Sequence, residues 1–199
     1  DTENVIKEAL SIGYRHIDTA SFYQNEEAVG KAIIESGIPR EEIFITTKVW
    51  NDDQRSGKIK EAFEDSLRKL QTDYIDLYLI HWPVKEKFAE TWKIFEELYK
   101  TGKIKAIGVS NFKEHHLDDL KKVSDIIPAV NQVELHPYLI QEDILSYCKK
   151  EGIHLEAWSP FAANKTGLFQ EKILTDLAAK YSKTPAQIIL RWDYQREII

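Results

Sequence analysis

The regular spacing of short apolar segments constrains the fold of this chain more than any other feature. Segments rich in β-branched and aromatic residues recur at intervals of 24 to 32 residues, the length of a strand, a helix and their two loops. These candidate strands begin at Tyr14, Ile43, Ile75, Lys105, Ala129 and His154. The pattern predicts an array of strand–helix units, and therefore a parallel sheet covered by helices.

Segments with helical periodicity separate and follow the candidate strands. They cover residues 26–35, 56–70, 89–100, 114–123, 141–149, 171–181 and 185–195. Gly37, Gly102 and Gly152 stand where three of these helices are expected to end. Two α/β architectures fit such an array: a (β/α)8 barrel, also called a TIM barrel, or a doubly wound open sheet.

Length and composition fit one domain. The 199 residues are 43% hydrophobic, enough to bury one core, and no Gly-, Ser- or Pro-rich linker divides them. The formal net charge of −6 argues against a broad nucleic-acid surface or an anionic membrane as partner. Cys148 is the single cysteine, so no internal disulfide forms, and the sequence has neither a signal peptide nor a long apolar run. We expect a cytoplasmic protein that binds neither nucleic acid nor membrane.

Both ends of the sequence have the pattern of the interior of a domain. Residues 1–10 resemble the middle of an amphipathic helix, and position 1 is not methionine. Residues 197–199 resemble the first residues of a strand. A complete (β/α)8 barrel needs about 250 residues. We therefore expect residues 1–199 to form a single barrel domain that is incomplete at both ends, without its first strand and most of its last.

Polar side chains of different chemistry follow three successive candidate strands. Asp18 ends the first strand, Lys48 ends the second and His81 directly follows the third. Tyr23 lies on the loop after the first strand. Because the carboxyl ends of parallel strands meet at one rim, these four side chains are expected to converge. This convergence favours the barrel over the open sheet.

The four side chains suit proton transfer to a carbonyl oxygen. A phenol is a poor proton donor at neutral pH because its ordinary pKa is about 10. A cation beside Tyr23 lowers that pKa, an acid keeps the cation charged and in place, and a histidine hydrogen-bonds the same substrate oxygen. Lys48, Asp18 and His81 match these three roles. The site contains no obvious nucleophile and no hydride, so a reductant must come from a cofactor.

Six short motifs span nearly the whole chain. They are Gly13-Tyr14-Arg15-His16-Ile17-Asp18-Thr19-Ala20 followed by Tyr23, Lys48-Val49-Trp50, His81-Trp82-Pro83, Gly108-Val109-Ser110-Asn111-Phe112, Asn131-Gln132-Val133-Glu134 and Trp158-Ser159-Pro160. In this order and at these spacings they resemble the motifs of the aldo-keto reductase family. The nearest similarity is to its prokaryotic 2,5-diketo-gluconate and glyoxal reductases. The resemblance implies a (β/α)8 barrel that reduces aldehydes and ketones with a nicotinamide cofactor, usually NADPH.

The resemblance also implies a role for each catalytic residue. It assigns Tyr23 as the general acid, with Lys48 and Asp18 tuning it, and His81 as the residue that orients the carbonyl. The substrate is expected to be a small-molecule aldehyde or ketone, and the protein a monomer. A non-catalytic or truncated member of the family, with a ligand-sensing or structural role, is the alternative.

The family pattern places the cofactor along the later strand ends. It sets Ser110, Asn111 and Gln132 around the nicotinamide carboxamide, Trp158 against the nicotinamide ring and Ser159 near the phosphates. The preference for NADPH over NADH follows from the family alone, because the family's residues that bind the adenosine 2′-phosphate would lie beyond the end of this sequence.

Several of these residues also have a simpler structural interpretation. Asp18 and Tyr23 could be a turn residue and a packing aromatic. Ser110 and Asn111 could cap the next helix. Gln132 lies within a strand, where a buried amide needs a hydrogen-bond partner that a bound ligand could supply.

The remaining aromatic and histidine pairs have different interpretations. Trp50 and Trp82 each follow a rim residue, and we interpret them as apolar walls of a substrate pocket. His115 and His116 are adjacent on a helix, where side chains diverge by about 100°, so we predict no metal site there.

Overall fold

The computed structural model of the chain describes residues 1–164 and 167–199. In this part of the chain six strands form one parallel sheet in the order β1-β2-β3-β4-β5-β6. The strands are His16–Asp18 (β1), Phe44–Val49 (β2), Ile75–Ile80 (β3), Ile104–Ser110 (β4), Val130–Glu134 (β5) and His154–Trp158 (β6). Each strand begins within two residues of its predicted start.

Helices precede β1, connect the strands and follow β6. They are Thr2–Ser11 (α1), Glu26–Glu35 (α2), Asn51–Ser56 (α3), Ile59–Leu70 (α4), Phe88–Lys100 (α5), Glu114–Lys121 (α6), Glu142–Glu151 (α7), Lys172–Tyr181 (α8) and Pro185–Gln195 (α9). The prediction of one helix over 56–70 is wrong at its start, because α3 ends and α4 begins on either side of Gly57. Gly57 has φ of 72°, a left-handed conformation that ends a helix and that glycine adopts at little cost.

The strand order excludes the doubly wound alternative. A doubly wound sheet reverses its strand order near the middle, whereas these six strands follow one another in sequence. The sheet also curls. Gln132 Nε2 on β5 lies 2.8 Å from Asp18 Oδ2 on β1, although a flat sheet would separate these strands by about 19 Å, four spacings of about 4.8 Å. The fold is therefore a curled parallel sheet with helices, consistent with part of a (β/α)8 barrel.

The two faces of the sheet pack differently. The outer face packs against helices, where Tyr78 of β3 stacks on Phe95 of α5 with ring centroids 4.6 Å apart. Phe63 of α4 meets the same tyrosine edge-on at 5.2 Å. All three rings are fully buried, and each contributes about 1.5–3 kcal/mol. The inner face carries a smaller apolar cluster that includes Leu79 and Val130.

The strand register brings polar side chains to the inner face above that cluster. Successive side chains of a strand point to opposite faces, and paired residues of neighbouring strands share a face. Asp18 pairs with Thr46, which lies two residues before Lys48. Gln132 pairs with Glu156. These inward positions form the floor of the rim site described below.

The first strand is shorter than predicted. It begins at His16 rather than at Tyr14, because the preceding residues close α1 instead of joining the sheet. The backbone N–H of Tyr14 donates to the carbonyl oxygen of Ala9 at 3.0 Å, and Arg15 Nη1 donates to that of Leu10 at 3.0 Å. The predicted helix over 1–10 is observed as α1, with the Asp1 carboxylate accepting from the N–H of Glu3 at its start.

The final residues run beside β6 without forming an assigned strand. The N–H of Ile199 donates to the carbonyl oxygen of Leu155 at 3.0 Å, and the N–H of Ala157 donates to that of Ile199 at 2.8 Å. These bonds have the alternating pattern of parallel strands. Among the described residues, the helices are all too short or too polar to span a lipid bilayer.

Candidate active site

An ion pair between a buried lysine and a partly exposed aspartate joins the carboxyl ends of β1 and β2. Lys48 Nζ lies 2.5 Å from Asp18 Oδ1 and donates to the carbonyl oxygen of Thr19 at 3.0 Å. The lysine side chain is fully buried, whereas the Asp18 side chain is 33% exposed. A buried ammonium requires partners that replace its lost hydration, and these two oxygens supply them. The predicted convergence of these two residues is observed.

Tyr23 lies beside this ion pair at the end of a short 3₁₀ helix, Ser21–Tyr23. Lys48 Nζ is 5.4 Å from the centroid of the tyrosine ring. Burial and then the negative charge of Asp18 raise the pKa of the Tyr23 phenol. The expectation of a lowered pKa is wrong for this structure, because burial of the phenol, together with the charge of Asp18, disfavours the phenolate.

His81 follows β3 and faces the tyrosine. The two rings are nearly perpendicular, at 88°, with centroids 5.8 Å apart. Burial and then the positive charge of Lys48 lower the pKa of His81 to about 4, while the charge of Asp18 acts in the opposite direction. The imidazole is therefore neutral at physiological pH. A neutral imidazole has one N–H, which can donate to a substrate oxygen.

Aromatic rings line one side of this histidine. The ring centroids of Trp50 and His81 lie 5.1 Å apart. Phe22 stacks on Trp50 with ring centroids 3.9 Å apart. The predicted position of Trp50 in an apolar wall agrees with these contacts. Phe22 was not singled out from the sequence, although its place next to Tyr23 on the rim loop was a usable signal.

Trp82 directly follows His81 in the chain and is 41% exposed. Its backbone carbonyl oxygen accepts from Gln54 Nε2 at 3.0 Å, so α3 supports the loop that carries it. Gln54 is buried, and its role was not evident from the sequence because the two residues are 28 positions apart.

Ser110 and Asn111 do not cap the helix that follows them, so the capping interpretation is wrong. The residue before α6 is Lys113. Ser110 Oγ donates to the carbonyl oxygen of Gln132 at 2.8 Å, and Asn111 Nδ2 donates to that of His81 at 3.0 Å. These bonds tie the end of β4 to the ends of its neighbours, β5 and β3.

Trp158, at the end of β6, is held by the same asparagine. Its Nε1 donates to Asn111 Oδ1 at 2.9 Å, which fixes the plane of the indole. Asn111 and Ser159 have φ of 63° and 51°. Such left-handed backbone costs a non-glycine residue of order 1–3 kcal/mol and is concentrated at functional sites.

A cavity of about 370 Å³ opens between these strand ends. Trp82, Asn111 and Trp158 line it together with apolar residues of β5 and α7. It adjoins the rim site through His81, whose carbonyl oxygen is bonded to Asn111. A flat ring bound here would meet an indole on one side, so this cavity is the part of the site that suits an aromatic cofactor.

Gln132 has partners within the protein, rather than from a ligand. Its Nε2 lies 2.8 Å from Asp18 Oδ2 and 2.9 Å from Glu156 Oε1. Burial, and then the charge of Asp18, raise the pKa of Glu156 to about 7, while Gln132 and Lys48 act in the opposite direction. Sequence reasoning missed Glu156. The available signal was its position two residues before Trp158, because residues two apart on a strand point to the same face of the sheet.

The adjacent histidines on α6 serve the helix. Their rings lie against each other with centroids 3.9 Å apart, so the expected divergence is not observed. His116 Nδ1 accepts from the backbone N–H of Lys113 at 3.1 Å, which satisfies a donor at the helix start. Across residues 1–164 and 167–199, no group of three or more His, Cys, Asp or Glu side chains is arranged to hold a metal ion.

Comparison with known proteins connects this geometry to a family. Residues 1–198 match the sequence model described as the Aldo/keto reductase family. The chain is 56% identical over 198 residues to glyoxal reductase of Bacillus subtilis (strain 168), a match that covers 100% of this chain and 71% of that protein. It is 51% identical over 189 residues to methylglyoxal reductase DkgA of Escherichia coli (strain K12), covering 94% of this chain and 68% of that protein.

A solved structure gives the same result. The crystal structure of the Bombyx mori aldo-keto reductase in complex with NADP matches with a TM-score of 0.93 and 38% identity, covering 99% of this chain and 71% of that one. The resemblance inferred from the six motifs is confirmed. The chain belongs to the aldo/keto reductase family and is an oxidoreductase.

Proposed function

We propose that this protein reduces small aldehydes and ketones to alcohols, with NADPH as reductant and Tyr23 as general acid. The position of the Tyr23 ring is the observation on which the proposal depends. It lies 5.4 Å from Lys48 Nζ and 5.8 Å from the centroid of the His81 ring. A proton donor, a cation and a neutral hydrogen-bond donor thus surround one place where a carbonyl oxygen can bind.

Each residue has a separate task in the proposed reaction. The raised pKa of Tyr23 keeps its proton in place at neutral pH, until negative charge develops on the carbonyl oxygen and draws it away. Lys48 stabilises the phenolate that remains, and Asp18 holds Lys48 in position. His81 donates a hydrogen bond to the same oxygen and orients the carbonyl.

The cofactor fits the later strand ends. Bound NADPH supplies the hydride that the carbonyl carbon accepts. Trp158 offers an indole whose plane is fixed by Asn111, and it borders the cavity. Because both amide hydrogens of Gln132 are taken by carboxylates, its Oε1 is the atom left to accept from a carboxamide. Ser159 directly follows Trp158 in the chain and is assigned to the phosphates of the cofactor.

The choice of NADPH and of small substrates rests on the relatives. The Bombyx mori structure contains NADP, and the two bacterial relatives are named for glyoxal and methylglyoxal. In this chain, the Trp50 ring packs against His81, and Trp82 directly follows His81 and lines the adjoining cavity. Aromatic walls restrict the shape of a substrate without forming specific hydrogen bonds, which suits short carbonyl compounds.

The decisive experiment measures the decrease in NADPH absorbance when methylglyoxal is added to the purified protein. We expect the wild-type chain to oxidise NADPH. Tyr23→Phe should lower kcat by about 10²–10⁴-fold, the usual contribution of a general acid. Binding should persist in this variant, because the phenol oxygen is not assigned to the cofactor, and quenching of tryptophan fluorescence by NADPH measures it.

Tyr181→Phe is the matched control, since this exposed tyrosine ends α8, outside the site. It should keep wild-type kcat. If Tyr23→Phe also keeps wild-type kcat, Tyr23 is not the proton donor. If the wild-type chain oxidises no NADPH with methylglyoxal, glyoxal or a nitrobenzaldehyde, the reductase proposal fails and a non-catalytic ligand-binding role replaces it.

A further inference from the structure

One amide group connects two carboxylates in the interior of the curled sheet. Gln132 Nε2 carries two hydrogens, and it lies 2.8 Å from Asp18 Oδ2 and 2.9 Å from Glu156 Oε1. Asp18 uses its other oxygen, Oδ1, to bind Lys48. A continuous chain of hydrogen bonds therefore runs from Glu156 through Gln132 and Asp18 to Lys48.

The orientation of the Gln132 amide follows from its neighbours. An amide can present either its oxygen or its nitrogen to a given partner. Both partners here are carboxylates, which when ionised only accept hydrogen bonds. With the amide reversed and both carboxylates ionised, Gln132 Oε1 would face two acceptor oxygens and neither contact would be a hydrogen bond. Glu156 therefore adds a second reason for Nε2 to point toward Asp18.

Glu156 itself is unusual for a strand residue. It is 6% exposed, and its Oε2 is buried without a hydrogen-bond partner among the described residues. Leaving such an atom unpaired costs about 1–3 kcal/mol, more if it is charged. A leucine of similar size would avoid that cost at a purely structural position. The placement of the carboxyl group is better explained by what it does to Gln132.

We infer that Glu156 is a positioning residue that, through Gln132, holds the Asp18 carboxylate against Lys48. The inference rests on the proposed function, because it assigns Glu156 to the reaction only by way of the pair that supports Tyr23. Glu156 acts on the pair through the hydrogen-bonded chain.

The charges that surround Glu156 make its ionisation sensitive to the same network. Asp18 faces it from β1, Lys48 from β2 and Gln132 from β5. Burial and the charge of Asp18 raise the pKa of Glu156, to about 7, against the opposing effects of Gln132 and Lys48. Glu156 thus changes charge near neutral pH, where the reaction is assayed.

The first test needs no catalysis and uses the whole chain. With ¹³C-labelled glutamate, NMR should show one side-chain carboxyl signal that titrates near pH 7 and is absent from Glu156→Gln. Asp18→Asn should lower that pKa, because it removes the charge that raises it. Gln132→Leu should raise it, because it removes the hydrogen bond that favours the ionised form. A signal that responds to neither substitution overturns the inference.

The second test separates positioning from packing by kinetics with methylglyoxal. Glu156→Leu keeps the bulk but not the acceptor, and should lower kcat about tenfold, roughly the value of one hydrogen bond. Glu156→Gln keeps an acceptor oxygen for Gln132, so its kcat should exceed that of Glu156→Leu. Wild-type kcat in Glu156→Leu, or an equal loss of kcat in Glu156→Gln and Glu156→Leu, overturns the inference.

The two tests also distinguish this inference from the proposed function. If the wild-type protein does not oxidise NADPH, the proposed function fails. The shifts of the glutamate signal in Asp18→Asn and Gln132→Leu still decide whether the hydrogen-bonded chain exists. If Glu156→Leu does not fold, those signals decide the inference without it.

Discussion

Lys48 Nζ and Asp18 Oδ1 lie 2.5 Å apart, and the two side chains differ in their access to water. The lysine is fully buried, whereas a third of the aspartate surface is exposed at the rim. The carboxylate therefore connects a cation in the interior of the sheet to the open side of the site. The other oxygen of the carboxylate, Asp18 Oδ2, accepts a hydrogen bond from Gln132 Nε2 at 2.8 Å, which fixes its position.

Replacing Lys48 with methionine should remove most of the activity. The substitution keeps a long unbranched side chain but removes the charge that we propose stabilises the Tyr23 phenolate. We expect kcat to fall by about 10²-fold or more, as for the loss of one preorganised electrostatic group. The free energy of unfolding should fall by about 1–3 kcal/mol, because Asp18 and the Thr19 carbonyl each lose a donor.

Lys60→Met is the matched control. Lys60 also pairs with a carboxylate, Glu97, at 2.7 Å, but both side chains are more than half exposed. Such pairs contribute about 0–1 kcal/mol, so this variant should match the wild type in both kcat and urea unfolding. Equal activity of Lys48→Met and wild type at every pH would refute the role of Lys48.

The strand-end rule predicted correctly that Asp18, Lys48 and His81 lie near one another at one rim of the sheet. Asp18, Lys48 and His81 each end or follow a strand, and parallel strands place such residues on one rim whatever the details of packing. Sequence periodicity also located every strand to within two residues. These predictions needed only local pattern and topology.

The parts that the sequence did not predict depend on distances across the sheet. Glu156 reaches Asp18 through Gln132 only because the sheet curls tightly enough to bring β5 close to β1. The direction of the pKa shift of Tyr23 depends on how deeply the phenol is buried and on its distance from the Asp18 carboxylate, and neither is encoded in any motif. Local patterns carry no information on either quantity.

Trp158 should report cofactor binding by fluorescence. An indole stacked on a nicotinamide ring is expected to be quenched when NADPH binds. Trp158→Ala should weaken NADPH binding and remove part of the quench, measured by fluorescence titration. Trp158→Phe keeps a flat ring but loses the bond from Nε1 to Asn111, so its affinity for NADPH should fall between those of wild type and Trp158→Ala.

Trp192→Phe is the control for this titration. Trp192 lies on α9 against Arg196, outside the cavity. Its replacement should leave the affinity and most of the quench unchanged. A full wild-type quench in Trp158→Ala would mean that another tryptophan senses the cofactor.

His81 should make the protein less stable in acid. Its pKa is about 4 in the folded protein and near 6.5 when unfolded, so between these values only the unfolded chain binds the proton. The stabilisation is fully present above pH 6.5 and is lost as the pH falls toward 4. It amounts to roughly 3 kcal/mol, since one unit of pKa corresponds to about 1.36 kcal/mol.

Glu156 affects the free energy of unfolding in the opposite direction to His81, over an overlapping pH range. Its pKa rises from 4.5 to about 7 on folding, so its contribution is present at low pH and is lost as the pH rises through 7. The wild-type profile alone therefore hides both effects. Urea unfolding of His81→Gln and wild type from pH 4 to 7 separates them. The wild type should lose stability relative to His81→Gln as the pH falls below 6.5, and parallel profiles would contradict the assigned pKa of His81.

Gly108→Ala should destabilise the inner layer beneath the site. A Cβ at Gly108 would lie 2.7 Å from Leu79 Cδ2 and 2.7 Å from the carbonyl oxygen of Val130. The leucine can change rotamer, but the carbonyl belongs to the adjacent strand and cannot move without shifting β5. The strain, about 1–3 kcal/mol, exceeds the 0.5–1 kcal/mol that alanine gains over glycine in a strand. Urea unfolding should therefore show a net loss in the free energy of unfolding. We also expect a lower kcat, because Gln132 lies two residues after Val130.

Ala106→Gly, on the same inner face, is the control and should lose only about 0.5–1 kcal/mol of the free energy of unfolding. A Gly108→Ala protein as stable as wild type would show that β4 and β5 can separate without cost.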